Sequence, residues 1–449
     1  MTTTAEYSYN ESSLLEKIDN RNNLILSHQT ELEEINKIPT FFWGRMREPY
    51  LTAKCLLTVA KTVRSKFALS TQELAALRDP IVTAGAEQIR FEGFSSCNGV
   101  YARLDILPEG LDGEFVASGT TNVDFNEPML NALNLVQKNE EVILSIGHDN
   151  VTVISEKTKA VEKKVKLPNR WLKGLTSVQH YLAEMNEVFE LNKMQAIQLF
   201  QSLPKTNIKN DLFLVQRAGK FIFSPLQSNP SVRIGSAHRL RVMDNILPFI
   251  YSIKVYESDD SQASCFVALI GNLQMIFSFS ADAYRGFSGE GKALENLIEE
   301  VPIEWIYGIN SIFKGNEVFN STKLSIENDI DFSTMDSLTA NLSSMGLLGF
   351  DVLNNQHFYR RLPFKTERIL SLNPRLKNAK KIVSENDVII VINTPSHIEA
   401  IVKGKDVTHK VLIENGIGRC TCEWFTKHQT NRGMCKHMLA VKMMTSNQE

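Results

Sequence analysis

The sequence has no long apolar run. Although 43% of its 449 residues are hydrophobic, none of its apolar stretches approaches the roughly 20 residues that a membrane-spanning helix needs. The N-terminal stretch MTTTAEYSYNESSLLEKIDN also lacks the basic flank and the apolar core of a signal peptide. We therefore expect a cytoplasmic protein that does not enter a membrane.

Cysteine is scarce, with six residues in the whole chain. In a reducing cytoplasm such a number does not form a disulfide framework. Cys55, Cys97 and Cys265 lie far apart in the sequence, and we expect them to be small buried apolar side chains. The remaining three lie together between positions 420 and 435.

No excess of one charge marks the whole chain, since 49 basic residues nearly balance 51 acidic ones. The two signs are nevertheless distributed unevenly. Residues 356–449 hold 16 Lys and Arg against 8 Asp and Glu, a net charge of +8, which leaves −10 for the first 355 residues. A basic last part indicates contact with nucleic acid or with an acidic protein, although scattered basic residues are equally typical of an ordinary solvated surface.

The spacing of apolar residues predicts an α+β fold, a mixed helical and antiparallel-sheet body. Five segments have the helical spacing: 11–37, which we expect to dock as one helix, 51–67, 168–200 with an interruption near Asn192, 289–300 and 333–344. Alternation predicts strands in IRFEGF, VYARLDIL, EVILSIG, NVTVISE, AVEKKVKLP, DLFLVQ, KFIFSP, FIYSIKVYE, ASCFVALIG, LQMIFSFSA, VIIVIN, HIEAIVKG and HKVLIEN.

The clustered cysteines belong to the stretch GRCTCEWFTKHQTNRGMCKHMLA, at positions 418–440. Cys420 and Cys422 are followed, after twelve residues, by Cys435 and His437. Three thiolates and one imidazole form a ligand set that tetrahedral zinc prefers. Because four protein ligands fill the coordination sphere, the predicted ion is structural and holds no catalytic water.

Two alternatives remain open for this segment. His428 competes with His437 as the fourth ligand, and the cysteines can also be reduced and buried without a metal. A helix is expected to begin near Cys435 and to bury Leu439 and Met443. Since so short a segment has almost no core, zinc would contribute on the order of 10 kcal/mol to its folding, and without zinc it should fray.

No internal repeat or low-complexity linker divides the chain, so domain boundaries follow from pattern and charge. We predict an N-terminal α+β region at 1–167 and a middle helical and antiparallel-sheet region at 168–355. The basic C-terminal region, 356–449, contains the small zinc module at about 397–445.

The pattern C-x-C, a variable loop and C-x-H resembles that of SWIM zinc fingers at all four ligand positions. Trp424 and the apolar run MLAVKMM are similar to that family as well. Six upstream segments resemble bacterial SWIM zinc-finger proteins of the long-chain type, so the resemblance covers most of the chain. They are GVYARLDILPEGL, GTTNVDFNEPM, LPNRWLKG, YRGFSGEG, LGFD and FYRRLPF.

The resemblance implies partners rather than a reaction. Members of this group are commonly encoded beside MoxR-type AAA+ ATPases and von Willebrand factor A-type (VWA) metal-binding proteins. It therefore implies that such proteins are partners of this chain in a chaperone-like system. No enzymatic activity comes with the resemblance, and SWIM fingers in general are assigned to DNA binding or to protein contacts.

Two classes of function follow from the sequence. The first is a non-enzymatic interaction protein whose zinc module docks on protein partners. The second is nucleic-acid binding, DNA or RNA, through the basic tail. The candidate phosphate contacts of the second class are Lys403, Lys405, Lys410, Arg419, Lys427, Arg432 and Lys436.

An enzyme is the third class, and it depends on one near match. The segment 286–293, GFSGEGKA, nearly fits the phosphate-loop pattern G-x-x-x-x-G-K-[ST], with Lys292 in place. Ala293 stands where the hydroxyl that ligates Mg²⁺ is needed, and a tight glycine turn explains the same residues. We therefore predict no enzymatic activity.

Overall fold

The computed structural model describes residues 15–18, 21–24, 40–65, 81–85, 87–123, 125–147, 151–155, 158–161, 169–206, 208, 210–281, 286–288, 318–360, 374–404, 407–429 and 433–446. Over these residues the fold is α+β, with helices and several antiparallel sheets, as the sequence predicts. No helix in this part of the chain is long and apolar enough to cross a membrane.

The strands, in chain order, are β1 (Leu15–Ile18), β2 (Arg21–Leu24), β3 (Thr40–Met46), β4 (Ile81–Gly85), β5 (Gln88–Phe94), β6 (Val100–Ile106), β7 (Leu111–Phe115), β8 (Gly119–Asn122), β9 (Ile143–Gly147), β10 (Val151–Ile154), β11 (Lys159–Val161), β12 (Met185–Asn192), β13 (Leu212–Arg217), β14 (Lys220–Ser224), β15 (Ser231–Ile234), β16 (Ser252–Ser258), β17 (Ala263–Ile270), β18 (Leu273–Ser280), β19 (Val318–Phe319), β20 (Leu348–Asp351), β21 (Gln356–Tyr359), β22 (Val388–Thr394), β23 (His397–Lys403), β24 (Thr408–Glu414) and β25 (Ile417–Cys420).

The α-helices, in chain order, are α1 (Pro49–Arg64), α2 (Glu127–Leu135), α3 (Asn169–Ala183), α4 (Lys193–Gln201), α5 (Ser321–Glu327), α6 (Phe332–Ser344), α7 (Pro374–Ser384), α8 (Glu423–His428) and α9 (Lys436–Ser446).

These strands form six antiparallel sheets. The largest has eight strands in the order β12-β16-β17-β18-β6-β5-β4-β8, and a second has five, in the order β11-β10-β9-β3-β7. Two sheets have three strands, β14-β13-β15 and β19-β21-β20, and β1 pairs with β2. The sheet β22-β23-β24-β25, which we call the finger sheet, contains the last four strands.

The eight-stranded sheet forms the centre of the body and is covered on both faces. In β6 and β18 every residue is buried, which accounts for their nearly continuous apolar sequences. α1 packs against β5 and β6 on one face. On the other face Arg360, from the layer of β20 and β21, reaches Glu92 of β5 with its Nη1 atom 2.6 Å from Oε1.

The eight-stranded sheet also crosses a predicted domain boundary. β18 lies in the predicted middle region and pairs with β6, which lies in the predicted N-terminal region, from Leu273 opposite Ile106 to Phe279 opposite Val100. The regions 1–167 and 168–355 therefore share one sheet. The boundaries themselves stay a prediction.

Two helical expectations are wrong in part. Within 11–37 the described residues form the β1–β2 hairpin, and the rest of that segment lies outside the described part. In 168–200 a strand, β12, separates α3 from α4, because cross-strand pairing with β16 outweighs the local helical spacing. Asn192 ends β12 and caps α4 through a capping box with Gln195. The segment 289–300 also lies outside the described residues.

Candidate metal centre

The finger sheet positions the candidate metal ligands. The dipeptide Asn415-Gly416 joins β24 to β25, and both residues have positive φ, 48° and 80°. Such a two-residue turn matches the twist of an antiparallel hairpin. β25 then ends at Cys420, so that the first ligand lies at the end of a strand whose register is fixed by pairing with β24.

The other ligands lie at the ends of two helices. Cys422 caps α8 and its Sγ accepts a hydrogen bond from Phe425 N at 3.4 Å. Cys435 immediately precedes α9, and its carbonyl accepts a bond from Leu439 N at 3.0 Å. His437 lies in the first turn of α9. All three elements therefore begin or end at the same point.

The structure brings the four predicted ligands together. Their ligand atoms lie within 4.8 Å of one another and all four side chains are buried. Cys420 Sγ is 3.7 Å from His437 Nδ1. Hydrogen bonds from the thiols of Cys420 and Cys435 hold the pKa of Cys422 far below its usual range, which favours the thiolate, the form that binds a metal.

This donor set fits a zinc ion. Zinc bonds of about 2.0–2.3 Å to nitrogen and sulfur place tetrahedral ligands roughly 3.3–3.8 Å apart, a range that includes the 3.7 Å between Cys420 Sγ and His437 Nδ1. The cluster holds soft ligands and no carboxylate, which favours zinc over calcium or magnesium. When bound, zinc would crosslink β25, α8 and α9 and supply no reactive water, because protein atoms fill its coordination sphere.

The competing ligand His428 lies outside this cluster. It belongs to α8 and its ring packs edge-on against Trp424, with ring centroids 5.0 Å apart. Trp424 is half-buried against the core. Of the two histidines that the sequence leaves open, the structure therefore places His437 with the cysteines.

Two residues outside the ligand pattern hold the centre in place. Arg375 of α7 donates from Nη1 to Met434 O at 2.7 Å and stacks over Trp424 at 4.5 Å. The His409 ring stacks on His437 with centroids 4.2 Å apart. Sequence reasoning missed both. Alternation along β24 offered a signal for His409, since Val411 and Ile413 share its inward face, but nothing local pointed to Arg375.

The remaining cysteines are separate from the centre. Cys55, Cys97 and Cys265 are all buried, as expected of small apolar side chains. Burial raises the pKa of the Cys265 thiol to about 12. This thiol is therefore protonated at neutral pH and unreactive.

The structure brings only some of the candidate nucleic-acid contacts together. Lys403, Lys410 and Arg419 share the outer face of the finger sheet, which is opposite the face packed on α9. Lys427 lies on α8, where its Nζ is 2.5 Å from Glu423 Oε1. Lys436 is exposed at the start of α9. The other two candidates, Lys405 and Arg432, lie outside the described residues.

The near match to a phosphate loop is only partly described. Gly286–Ser288 forms one turn in which Phe287 N donates to Asn98 O at 2.8 Å. Gly286 has a φ of 56° and lies against the Asn98 backbone, where a Cβ atom would be 2.1 Å from the carbonyl oxygen. Glycine is therefore required by packing there. Lys292 and Ala293 lie outside the described residues.

Comparisons with known proteins agree with this geometry at the C-terminus. The SWIM zinc finger family matches residues 409–445. Among curated proteins none matches the sequence.

Several solved structures are similar to about half of this chain at low sequence identity. Proliferating cellular nuclear antigen from Entamoeba histolytica is 10% identical, with a TM-score of 0.37, over 54% of this chain and 98% of that one. The PCNA2–PCNA3 complex from Sulfolobus tokodaii is 9% identical, with a TM-score of 0.37, over 54% and 99%. PCNA from Thermococcus kodakaraensis is 9% identical, with a TM-score of 0.35, over 53% and 99%. Similarity at this level assigns no function.

The family match and the buried cluster coincide. The matched range contains all three clustered cysteines and the histidine that joins them. Residues 409–445 of this chain are therefore a SWIM zinc finger.

Proposed function

We propose that this protein is a non-enzymatic interaction protein whose zinc-stapled finger docks on protein partners. The observation that carries the proposal is a set of exposed isoleucines on the outer face of the finger sheet. Ile389 lies directly opposite Ile401 across β22 and β23, and Ile392 occupies the next row. All three side chains are exposed, as is Ile417 on β25. Exposed apolar clusters on a rigid scaffold are typical of protein interaction sites.

Zinc would supply rigidity to this surface. The inner face of the finger sheet packs on α9, and Leu439 and Val441 of that helix are fully buried. Cys420 and Cys435 lie where the sheet and the helix approach each other, so an ion held there ties the two layers together. We expect the ligand loops and the start of α9 to lose order when the ion is removed, because zinc contributes much of the folding free energy of such modules.

We further propose that the partners are a MoxR-type AAA+ ATPase and a VWA-domain protein, in a chaperone-like system of a bacterial cytoplasm. The support is the resemblance of the upstream phrases to long-chain bacterial SWIM proteins. The acidic body and the basic finger region, at −10 and +8, are consistent with contacts to oppositely charged partners.

Affinity capture from the native host tests this proposal. The full chain should recover an ATPase or a VWA-domain protein, and Cys435→Ser should not. Cys265→Ser serves as the matched control, because it removes a buried thiol far from the centre and should retain both partners. Recovery of neither protein by the wild type would contradict the assignment of the partners.

A second function, nucleic-acid binding, is favoured by one observation. Lys403, Lys410 and Arg419 form a diagonal row on the outer face of the finger sheet. Against it, Lys410 Nζ is paired with Glu399 Oε1 at 2.6 Å. The described outer face also carries no Phe, Tyr or Trp on which bases could stack.

A salt titration separates the two functions. If the three cations contact phosphates, binding to DNA or RNA should weaken with salt with a log–log slope of about −0.7 to −0.9 per contact. Changing Lys403 and Arg419 to Glu should then flatten the slope. No binding at low salt would remove this function and leave protein docking.

A further inference from the structure

The strand β22 forms an open edge of the finger sheet. It pairs with β23 on one side, and no other strand in the described part of the chain pairs with it on the other. The opposite edge of the same sheet is β25, which is short and ends in the metal centre. The two edges therefore differ in length and in surroundings.

The hydrogen-bonding groups of Val388 and Ile390 point to this open edge. Lys403 N donates to Asp387 O at 2.8 Å, and Thr421 N donates to Lys410 O at 3.1 Å. The peptide groups of successive residues in an antiparallel strand face alternate sides. Since Asp387 bonds toward β23, Val388 faces away from β23 and Ile389 faces it. The bond of Lys410 to β25 gives the same result when the alternation is followed through β24 and β23. Ile389 bonds toward β23, and the peptide groups on either side of it face outward.

β22 lacks most of the features that protect edge strands in soluble proteins. Its sequence, VIIVINT, contains no charged residue and no proline. One protective feature is present, a bulge between Ile390 and Ile392. Ile389 and Val391 nevertheless remain 63% and 53% exposed. An apolar edge of this kind is a template for a further strand.

The chain next to the edge is basic on balance. Residues 374–394, which form α7, its connection to β22 and β22 itself, hold four basic residues against the two acids Glu385 and Asp387, a net charge of +2. Lys377 is exposed on α7, and Lys403 lies beside the start of β22 on the neighbouring strand. With the net charge of +8 over residues 356–449, this charge distribution selects an acidic occupant.

We propose that β22 accepts an extended peptide of a partner protein as a fifth strand, and that this peptide alternates apolar with acidic side chains. Backbone hydrogen bonds to Val388 and Ile390 provide the pairing. Apolar side chains of the peptide lie beside Ile389 and Ile392 on the outer face. The proposal rests on the proposed docking function and specifies where and how the partner binds.

A synthetic probe tests the pairing itself. The probe is a labelled peptide of four Val-Glu repeats, and its binding to the full zinc-loaded chain is followed by fluorescence anisotropy. A second copy, N-methylated at every peptide nitrogen, keeps the side chains and the charge but cannot donate. We expect the methylated copy to bind at least about tenfold more weakly. Equal binding of the two, or no binding of the first at about 1 mM, would overturn strand addition.

Two matched variants test the location. Ile389→Ser and Ile417→Ser remove the same side chain from the same face, at 63% and 62% exposure, on the two opposite edges. We expect the first to weaken probe binding about tenfold and the second to leave it within about twofold. If both variants weaken probe binding equally, the probe binds across the outer face of the sheet rather than along β22. That result would overturn strand addition but would leave the proposed protein-docking function standing.

Sedimentation of the chain alone separates a partner peptide from a second copy. We expect a monomer at concentrations where the probe binds. Self-association that Ile389→Ser abolishes would place a second copy of this chain on the edge and overturn the proposed occupant. The capture experiment decides the docking function independently, since it does not depend on the binding mode.

Discussion

Each metal ligand lies at the end of an element rather than within one. Cys420 closes β25, Cys422 caps α8, and His437 occupies the first turn of α9. Element ends have few hydrogen bonds of their own, so their positions depend on the ion and on neighbouring side chains. Arg375 is such a neighbour, because it holds the carbonyl of the residue that precedes Cys435.

Substitution of Arg375 tests this dependence. Arg375→Ala removes the bond to Met434 O and the stacking on Trp424, so the loop before Cys435 loses its anchor. We expect zinc affinity to fall by about tenfold or more, measured by competition with a chromophoric chelator. Lys377→Ala, an exposed change on the same helix, should leave the affinity unchanged. Equal affinities in the two variants would show that Arg375 does not position the centre.

At the scale of elements, local pattern predicts hairpins well and long-range packing poorly. Alternation in HKVLIEN and the Asn415-Gly416 turn are enough to predict β24 and its turn, and C-x-C with C-x-H is enough to predict the ligand cluster. β12 was not predictable in this way, because its strand conformation depends on β16, which is distant in sequence. The contact of α7 with the centre is unpredictable for the same reason.

The junction of β12 with α4 has a local signal that can be tested. Asn192 Oδ1 accepts from Gln195 N at 3.0 Å, and Gln195 Oε1 accepts from Asn192 N at 3.0 Å. Asn192→Ala removes this capping box and should lower the free energy of unfolding by about 1 kcal/mol, measured by urea denaturation. Gln198→Ala, an exposed change within α4, should have a smaller effect. A loss that is no larger for Asn192→Ala would contradict the capping role.

At the scale of the whole molecule, buried charges join the layers of the body. Arg103 is fully buried, donates to Asp105 Oδ2 at 2.9 Å and to Phe350 O at 2.8 Å, and so links β6 to β20. Glu92 is fully buried as well and accepts from Arg360 and from Tyr101. A buried ion pair is costly to desolvate, and the loss of one partner leaves the other charge uncompensated.

The Glu92 pair should make body stability depend on pH. Burial raises the pKa of this carboxyl. The Arg360 charge and the hydrogen bonds from Tyr101 and Arg360 lower it by more than burial raises it, so the net pKa lies below the ordinary value of 4.5. Because the pKa of Glu92 is lower in the folded protein than in the unfolded chain, the ionised carboxylate stabilises the fold at any pH above its unfolded-state pKa. This contribution is lost as the pH falls below about 4.5.

Glu92→Gln removes this charge and leaves Arg360 unpaired. We expect the free energy of unfolding at pH 7 to fall by about 3–5 kcal/mol, with a weaker loss of stability on acidification than in the wild type. Glu190→Gln, an exposed change on β12, is the control. Chemical denaturation between pH 3 and pH 7 measures both, and equal stability of the two variants would contradict the role of the pair.

The zinc content of the purified chain tests the central claim most directly. Elemental analysis of metal-replete protein should find about one zinc per chain, retained in Cys265→Ser. In Cys435→Ser the zinc should be lost, together with the order of the finger, while the body remains folded. A wild-type chain without zinc, or a Cys435→Ser chain that retains its full zinc content, would contradict a structural metal held by these four side chains.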